Sequence, residues 1–327
     1  MRVKCMVNIL LLTASGLLFL ADQAMGQAYP ARAVRVVVPF ASGSSTDLTG
    51  RIVGGVLATR IGQPVVIDNR PGANGMIGTE AVSKAEPDGY TLLLGTNATH
   101  GANVSLFEKM QYDPVRDFQP ITQVLHIVYL LVASNSLPAG SVAELVALAK
   151  ANPGKYTLAT TGGISQLTGE LFKHTTGIKL TDVPYKAPSG AFVDIAAGRV
   201  DMLFIGTPPA MPQIAAGRMK ALAITSRIRS VQAPTVPTVE EQGYPGFQAT
   251  SWIAYFAPSG VPKSIVTRLN TEIVAILKDA GVRAQLLKNG TTESEIVGNT
   301  PEQLAEEVDQ EIAKWKKLVS AIGVPKI

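Results

Sequence analysis

The sequence predicts an α/β protein built on mainly parallel sheets. Three observations carry that expectation. Apolar, β-rich runs alternate with helical stripes along the whole chain. Two loops of small residues, one after Phe40 and one after Thr160, each follow a strand pattern and precede a helical one. The composition, 46% hydrophobic and 17% charged, belongs to a well-packed chain and not to a disordered one.

The elements follow in order. Residues 1–28 read as a secretory leader: Arg2 and Lys4 are basic, Met6 to Leu20 are apolar, and a small-residue segment follows. Gly26 and Ala28 suit positions −3 and −1 of a cleavage site, which starts the mature chain at Tyr29. Cleavage after Gly26, with Ala24 at −3, is the alternative. The apolar run is shorter than the roughly 20 residues a bilayer span needs. Val34–Pro39 is the first strand, and a helix with Leu48, Ile52, Val53, Val56 and Leu57 on one face follows its loop. Val65–Asp68 leads through the turn Asn69-Arg70-Pro71-Gly72 to a helix near Gly78–Lys84. Thr91–Leu94 leads to a polar loop, Gly95-Thr96-Asn97, and a long apolar run covers His126 to Ala133. Ser141 with Glu144 forms a capping box, and Pro153-Gly154 ends that helix. Tyr156–Thr160, Leu180–Pro184, Met202–Phe204 and Ala221–Thr225 read as strands, as does Ser251–Phe256. Thr300-Pro301-Glu302-Gln303 opens a last helix whose stripe is Leu304, Val308, Ile312, Trp315 and Val319.

Composition narrows the function. Removing the leader leaves 299 of 327 residues, enough for one large or two ordinary domains. It also takes away the only cysteine, Cys5, so the mature chain has no disulfide, thiolate nucleophile or cysteine metal site. Losing Arg2, Lys4 and Asp22 lowers the formal charge from +4 to +3. The remaining basic residues are scattered, which argues for a solvated face and against a nucleic-acid surface.

The stretch Val34–Asp47, VRVVVPFASGSSTD, has the layout of an anion site. A strand delivers a small-residue loop to a helix N-terminus, where unpaired N–H groups and the dipole favour negative charge. A phosphate P-loop is excluded because no Gly-Lys-Ser/Thr follows, and no G-x-G-x-x-G occurs. Asp47 either contacts the ligand or caps the helix. The loop Thr161-Gly162-Gly163-Ile164-Ser165-Gln166 echoes the first. Ser165 in Gly163-Ile164-Ser165-Gln166-Leu167 is half a nucleophile elbow without its final Gly. The three histidines, His100, His126 and His174, have no metal-ligand or triad spacing. His126 reads as core, His100 as a site candidate, and Lys186 as either a carboxylate partner or a solvated lysine. No cofactor and no metal is expected.

The order of the segments then resembles a family, the Bug receptors of tripartite tricarboxylate transporters. The match opens with Tyr29-Pro30 and Val38-Pro39-Phe40-Ala41 with Gly43 and Asp47. It continues through Gly62-Gln63-Pro64-Val65-Val66, Asn69-Arg70-Pro71-Gly72-Ala73 and Pro87-Asp88-Gly89-Tyr90-Thr91-Leu92. Tyr112-Asp113-Pro114, Val183-Pro184-Tyr185-Lys186, Val236-Pro237-Thr238-Val239 and Trp252 complete it. The resemblance implies a two-lobed, Venus-flytrap periplasmic-binding-protein fold. Each lobe would be a mainly parallel sheet flanked by helices. Residues 29–128 and 251–327 would form lobe one and residues 129–250 lobe two, with crossover strands near His126–Ala133 and Phe247–Phe256.

It also implies a function without catalysis: capture of a small organic carboxylate in the periplasm and delivery to the membrane subunits of the transporter, by a monomer. The carboxylate would be pinched between Phe40, Ala41, Ser42, Ser44, Ser45, Thr46 and Asp47 on one side and Thr160, Thr161, Gly162, Gly163, Ser165 and Gln166 on the other. Thr96, Asn97 and His100, with Tyr185, Lys186, Ile205 and Thr207, would complete the pocket. Three residues depart from the family pattern: Leu167 where many relatives have His, Ala187 in place of Gly, and Ile205 where Asp often stands. An apolar Ile205 would leave a ligand ammonium unpaired, so a carboxylate without an α-amino group is expected, either a dicarboxylate or an aromatic one. The alternatives are a receptor that presents its ligand to a sensor kinase, and a secreted serine hydrolase using Ser165 or Ser44.

Overall fold

The computed structural model describes residues 29–322. The leader and cleavage site expected within residues 1–28 lie outside the described residues. Helix α1 (Ser45–Ile61) follows strand β1 (Val34–Val38); β2 (Val65–Asn69), α2 (Met76–Ser83) and β3 (Thr91–Thr96) come next. A π-helical turn over Ala98–Ala102 and the short α3 (Asn103–Leu106) precede the long β4 (Phe118–Ala133). Then come α4 (Val142–Ala151), β5 (Thr157–Thr160), α5 (Gly163–Thr176), β6 (Thr181–Pro184) and α6 (Pro188–Ala196). Strand β7 (Met202–Gly206), α7 (Thr207–Ala215), β8 (Lys220–Ile224) and β9 (Thr250–Pro258) lead to α8 (Lys263–Lys278), α9 (Ala280–Lys288) and α10 (Pro301–Ile322).

Two sheets share β4. In the first, β2, β1 and β3 are parallel, and β9 and β4 add antiparallel. In the second, β7, β5 and β6 are parallel, while β4 lies antiparallel between β7 and β8. The pairing of β4 changes from β9 to β7 and β8 between Val128 and Tyr129, so one strand runs through both lobes.

The valines of β1, interrupted only by the half-buried Arg35, have a simple cause. Val34, Val36 and Val38 face α1, α8 and α9, while Val37 faces the side covered by Val82, Leu304 and Val308. A parallel strand buried on both faces needs apolar residues wherever it is covered, and Arg35 stands at the one partly exposed position. Each such Val or Leu contributes roughly 1.5–3 kcal/mol on burial. The second lobe repeats the design: Leu158, Met202 and Phe204 face α4 and α5, whereas Ala159, Leu203 and Ile205 face α6 and α7.

Several boundaries differ from the sequence expectation. Helix α1 starts before Leu48, because Ser44 caps it by accepting from the Asp47 N–H at 3.3 Å. Asp47 therefore does not cap. The buried face of α1 runs through Thr49, Gly50, Val53, Gly54 and Leu57, so Leu48, Ile52 and Val56 lie only at its edge. Gly95 and Thr96 are the end of β3, not a polar loop, and both are buried. Strand β4 begins at Phe118, well before the apolar run, where polar residues such as Thr122 and Gln123 pair with Asn299. The expected box at Thr300 is present, with Gln303 N–H donating to Thr300 Oγ1 and Gln303 Oε1 accepting from the Thr300 N–H.

Candidate functional site

A cavity of about 510 Å³ opens between the lobes at the carboxyl ends of β1 and β5. Its first wall is the loop from Pro39 through Thr46. That loop is held from behind by Asp47, whose side chain is 2% exposed. Asp47 Oδ2 accepts from the Gly43 N–H at 2.9 Å and from Arg51 Nε at 3.1 Å. Its Oδ1 accepts from Asn69 Nδ2 at 3.0 Å, and Asn69 Nδ2 also donates to the Phe40 carbonyl at 3.1 Å. Burial raises the Asp47 pKa, but the hydrogen bonds from Arg51, Gly43 and Asn69 outweigh it and hold the carboxyl below its ordinary value. The carboxylate shapes the loop, and Ser45 and Thr46, the first residues of α1, line the cavity.

The second wall is built differently. Gly162 precedes α5 with φ 75° and ψ −179°, a conformation reserved for glycine, and no side chain caps the helix. Ser165 donates its hydroxyl proton to the Phe204 carbonyl, which ties α5 to β7. A third helix, α6, starts at Pro188 without a side-chain cap beside Tyr185 and Lys186. Tyr185 commits its hydroxyl to Asp194 at 2.5 Å.

Among the described residues, Lys186 is the single charged side chain lining the cavity, and no Asp or Glu lines it. Uncapped helix N-termini, one cation and no acid together favour an anion. The remaining lining is apolar or weakly polar, with Phe40, Ile127, Ile164, Ile205 and Ile253 among it.

Of the residues expected from the sequence, the cavity gathers Phe40, Ala41, Ser44, Ser45, Thr46, Thr96, Thr161, Gly162, Ser165, Tyr185, Lys186 and Ile205. The others lie elsewhere. Ser42 is exposed and points its hydroxyl at Asp47. Asn97 is buried behind the wall. Thr160 ends β5, where its carbonyl accepts from Tyr185. Gly163 and Gln166 fall in the first turn of α5, and Thr207 is buried at the start of α7.

His100 is the clearest displacement. It is fully buried, stacked on Phe256 with centroids 3.8 Å apart and edge-on to Phe118 at 4.8 Å. Burial pushes its pKa down to about 3, so the imidazole is neutral. The π-helical turn after β3 points it into the sheet. His126 lies on β4 beside Gln123, and His174 is exposed near the end of α5, so no histidine stands next to Ser165 in the cavity.

Sequence reasoning passed over one wall. Asn69 to Gly72 read as a turn, yet Pro71 to Gly75 lines the cavity, with Ala73 and Asn74 at φ 45° and 52°. Non-glycine residues in that region are uncommon and carry a cost in strain. Gly78 lets the segment sit close: a Cβ there would lie 2.8 Å from the Arg70 carbonyl and 2.9 Å from Pro39 Cα. Asn74 reaches the opposite lobe, its Oδ1 lying 3.1 Å from where a Gly162 Cβ would stand. Tyr129 and Ser251 also line the cavity; both sit in runs that read as core.

Comparison with known proteins now decides the family. The model of the tripartite tricarboxylate transporter family receptors matches residues 50–324. This chain belongs to that family. It is 35% identical over 325 residues to the protein BugT of Bordetella pertussis, covering 98% of each chain. Among solved structures, the periplasmic binding protein BugD superposes with TM-score 0.87 at 34% identity, covering 91% of this chain and 100% of that one. An R. palustris protein solved with adipate gives TM-score 0.87 at 36% identity over 91% of this chain and 100% of its own. MatC from Rhodopseudomonas palustris, solved with malate, gives 0.83 at 33% identity, with 89% and 100% covered. The two-lobed α/β fold of the receptor family is thus the fold of this chain. Among the described residues no helix is long and apolar enough to cross a membrane, and no cluster of ligating side chains could hold a metal ion.

Proposed function

We propose that this chain is a periplasmic solute-binding protein. It captures a small organic carboxylate without an α-amino group between its lobes and delivers it to the membrane subunits of a tripartite tricarboxylate transporter. Lobe one is residues 29–128 with the segment from 251 onward, and lobe two is residues 129–250; closure is a hinge motion about β4 and β9. The carrying observation is a cavity whose lining has uncapped helix starts and Lys186 but no acidic side chain. The carboxylate is held mainly by backbone N–H groups of α1 and α5. The ligands of the two R. palustris proteins, adipate and malate, agree with this charge preference.

Ile205 sets the amino-group selectivity. It is 5% exposed and packs with Leu130 and Leu203, and no carboxylate lines the cavity, so an ammonium beside it would meet no counter-charge. Leaving that group unpaired costs about 1–3 kcal/mol. A thermal-shift screen with a carboxylate panel tests the reading, because a ligand at a hundred times its Kd adds about 2.7 kcal/mol. Succinate, malate or adipate should raise the melting temperature, and aspartate and glutamate should not. Tight aspartate binding would remove the selectivity claim, and a panel without any shift would remove the carboxylate assignment.

A further inference from the structure

Strand β4 passes from one lobe to the other with the same edge covered by two different segments. On the lobe-two side β8 pairs with residues 130–133, and the Thr225 N–H donates to the Tyr129 carbonyl at 3.0 Å. On the lobe-one side the segment after α9 takes over. Leu125 bridges to Ile296, and the Val297 and Gly298 N–H groups donate to the Val124 and Gln123 carbonyls at 3.0 and 2.9 Å. The two covers therefore meet beside the point where β4 changes partners, between Val128 and Tyr129.

Gln232 fastens one cover to the other. It follows β8, and its Nε2 donates to the Thr291 carbonyl at 2.7 Å and to the Leu287 carbonyl at 3.1 Å. Carbonyls only accept, so the amide nitrogen must face them, and both of its protons are used. The Gln232 N–H donates to Ser230 Oγ at 3.2 Å, which holds the side chain's origin in place. Thr291 is 1% exposed, so water has little access to replace the amide. A second contact lies alongside. Gly290, at φ 86°, sits so near α7 that a Cβ would lie 2.8 Å from Met211 Cγ and 3.0 Å from the Thr207 carbonyl. None of these residues lines the cavity. They are joined while the cavity walls stand close, with Asn74 of lobe one reaching Gly162 of lobe two.

We propose that Gln232 is a positioning residue for ligand capture: its amide clasps the two lobes beside the hinge and favours the closed arrangement without touching the ligand. This rests on the lobe division and the hinge about β4 and β9 given above. A rotation that parts the walls moves the segment after β8 relative to the end of α9. Two hydrogen bonds with fixed directions weaken steeply under such a displacement. The apparent affinity of any ligand scales with the fraction of chains in the binding-competent arrangement. A clasp that shifts this fraction changes every affinity by one factor and leaves the ratios between ligands alone.

The first test needs no ligand. Residues 29–327 contain no cysteine, so cysteines placed at the exposed Ile77 and Val193, one on each lobe, take spin labels at defined sites. Double electron–electron resonance then reads the distance between the lobes, with the denaturation midpoint as the check on folding. Gln232→Leu removes both donors, and Gln232→Glu sets a carboxylate of nearly the same size against two carbonyls. Both should move the distances to longer values, Gln232→Glu further. A wild type without a short-distance population, or an unchanged distribution in both variants, overturns the proposal and leaves the carboxylate reading standing. Isothermal titration with succinate, malate and adipate joins the clasp to binding. Every one that binds the wild type should weaken by about threefold to tenfold in Gln232→Leu, the worth of one net hydrogen bond, with their order kept. A changed ratio between ligands would place the effect of Gln232 inside the cavity and overturn the proposal. Failure of every carboxylate to bind removes the carboxylate reading, and the distances alone then decide the clasp.

Discussion

The two loops that face each other across the cleft look alike in sequence and are held in opposite ways. The first, Phe40–Asp47, is fixed from outside the cavity by a buried carboxylate that gathers Gly43, Arg51 and Asn69. The second, Thr160–Gln166, has no such anchor: Gly162 takes a glycine-only conformation and nothing caps α5. The first loop is a finished platform, with its charge already neutralised behind it. In the second loop no side chain caps the first turn of α5, and a ligand would supply those N–H groups with partners. On the proposed function, an anion between them would stabilise lobe two's loop more than lobe one's, and that difference between bound and free states would drive closure.

The largest way to break the contrast is Asp47→Asn. It leaves buried N–H donors facing an amide that cannot satisfy them all, and we expect a loss of about 2–3 kcal/mol, reduced because Arg51 is half exposed. Urea denaturation without ligand measures it. The first loop should lose its shape, so affinity should fall along with stability.

The next effect is a pH dependence in the scaffold behind the first loop. His100 titrates near 6.5 when unfolded but only near 3 in the fold, because burial disfavours its charged form. Below pH 6.5 the unfolded chain therefore binds a proton that the native state refuses. Stability should fall by about 1.4 kcal/mol per pH unit until the folded value is reached. Denaturation midpoints between pH 7 and roughly pH 5 measure the slope. His100→Phe should flatten it, whatever its absolute stability; an unchanged slope would place the titration elsewhere.

The smallest effect on stability should come from the second loop. Gly162→Ala forces a side chain into φ 75° and towards Asn74, costing about 1–3 kcal/mol of strain. Because no buried carboxylate anchors this loop, its signature is affinity: binding should weaken tenfold or more with little change in denaturation midpoint beyond the strain. If Gly162→Ala alters stability as much as Asp47→Asn but leaves affinity intact, the two loops are not the unequal pair described here.

The same inequality explains what the sequence could disclose. Strand and helix patterns were legible because both faces of each sheet are buried, which writes apolar runs such as Val36–Val38 into the chain. The two glycine- and serine-rich loops were legible because close backbone approach needs small residues. The Asp47 role was not. Its partner Asn69 is 22 residues away, and only the folded β2 brings it alongside. His100 followed a polar stretch and read as a site residue, but a π-helical turn folds it into an aromatic cluster. The Pro71–Gly75 wall was hidden because its signal, positive φ at Ala73 and Asn74, is a backbone property that residue types do not announce. Tyr129 and Ser251 looked like core because a cavity between lobes is lined by the same residue types that fill a core.

The central claim is that backbone donors of the two lobes clamp a carboxylate. Isothermal titration with a carboxylate and its uncharged amide, succinate against succinamide or adipate against adipamide, tests it most directly. The account predicts that the carboxylate binds and that the diamide loses at least about a hundredfold, roughly 2.7 kcal/mol. Equal binding of the amide would contradict it.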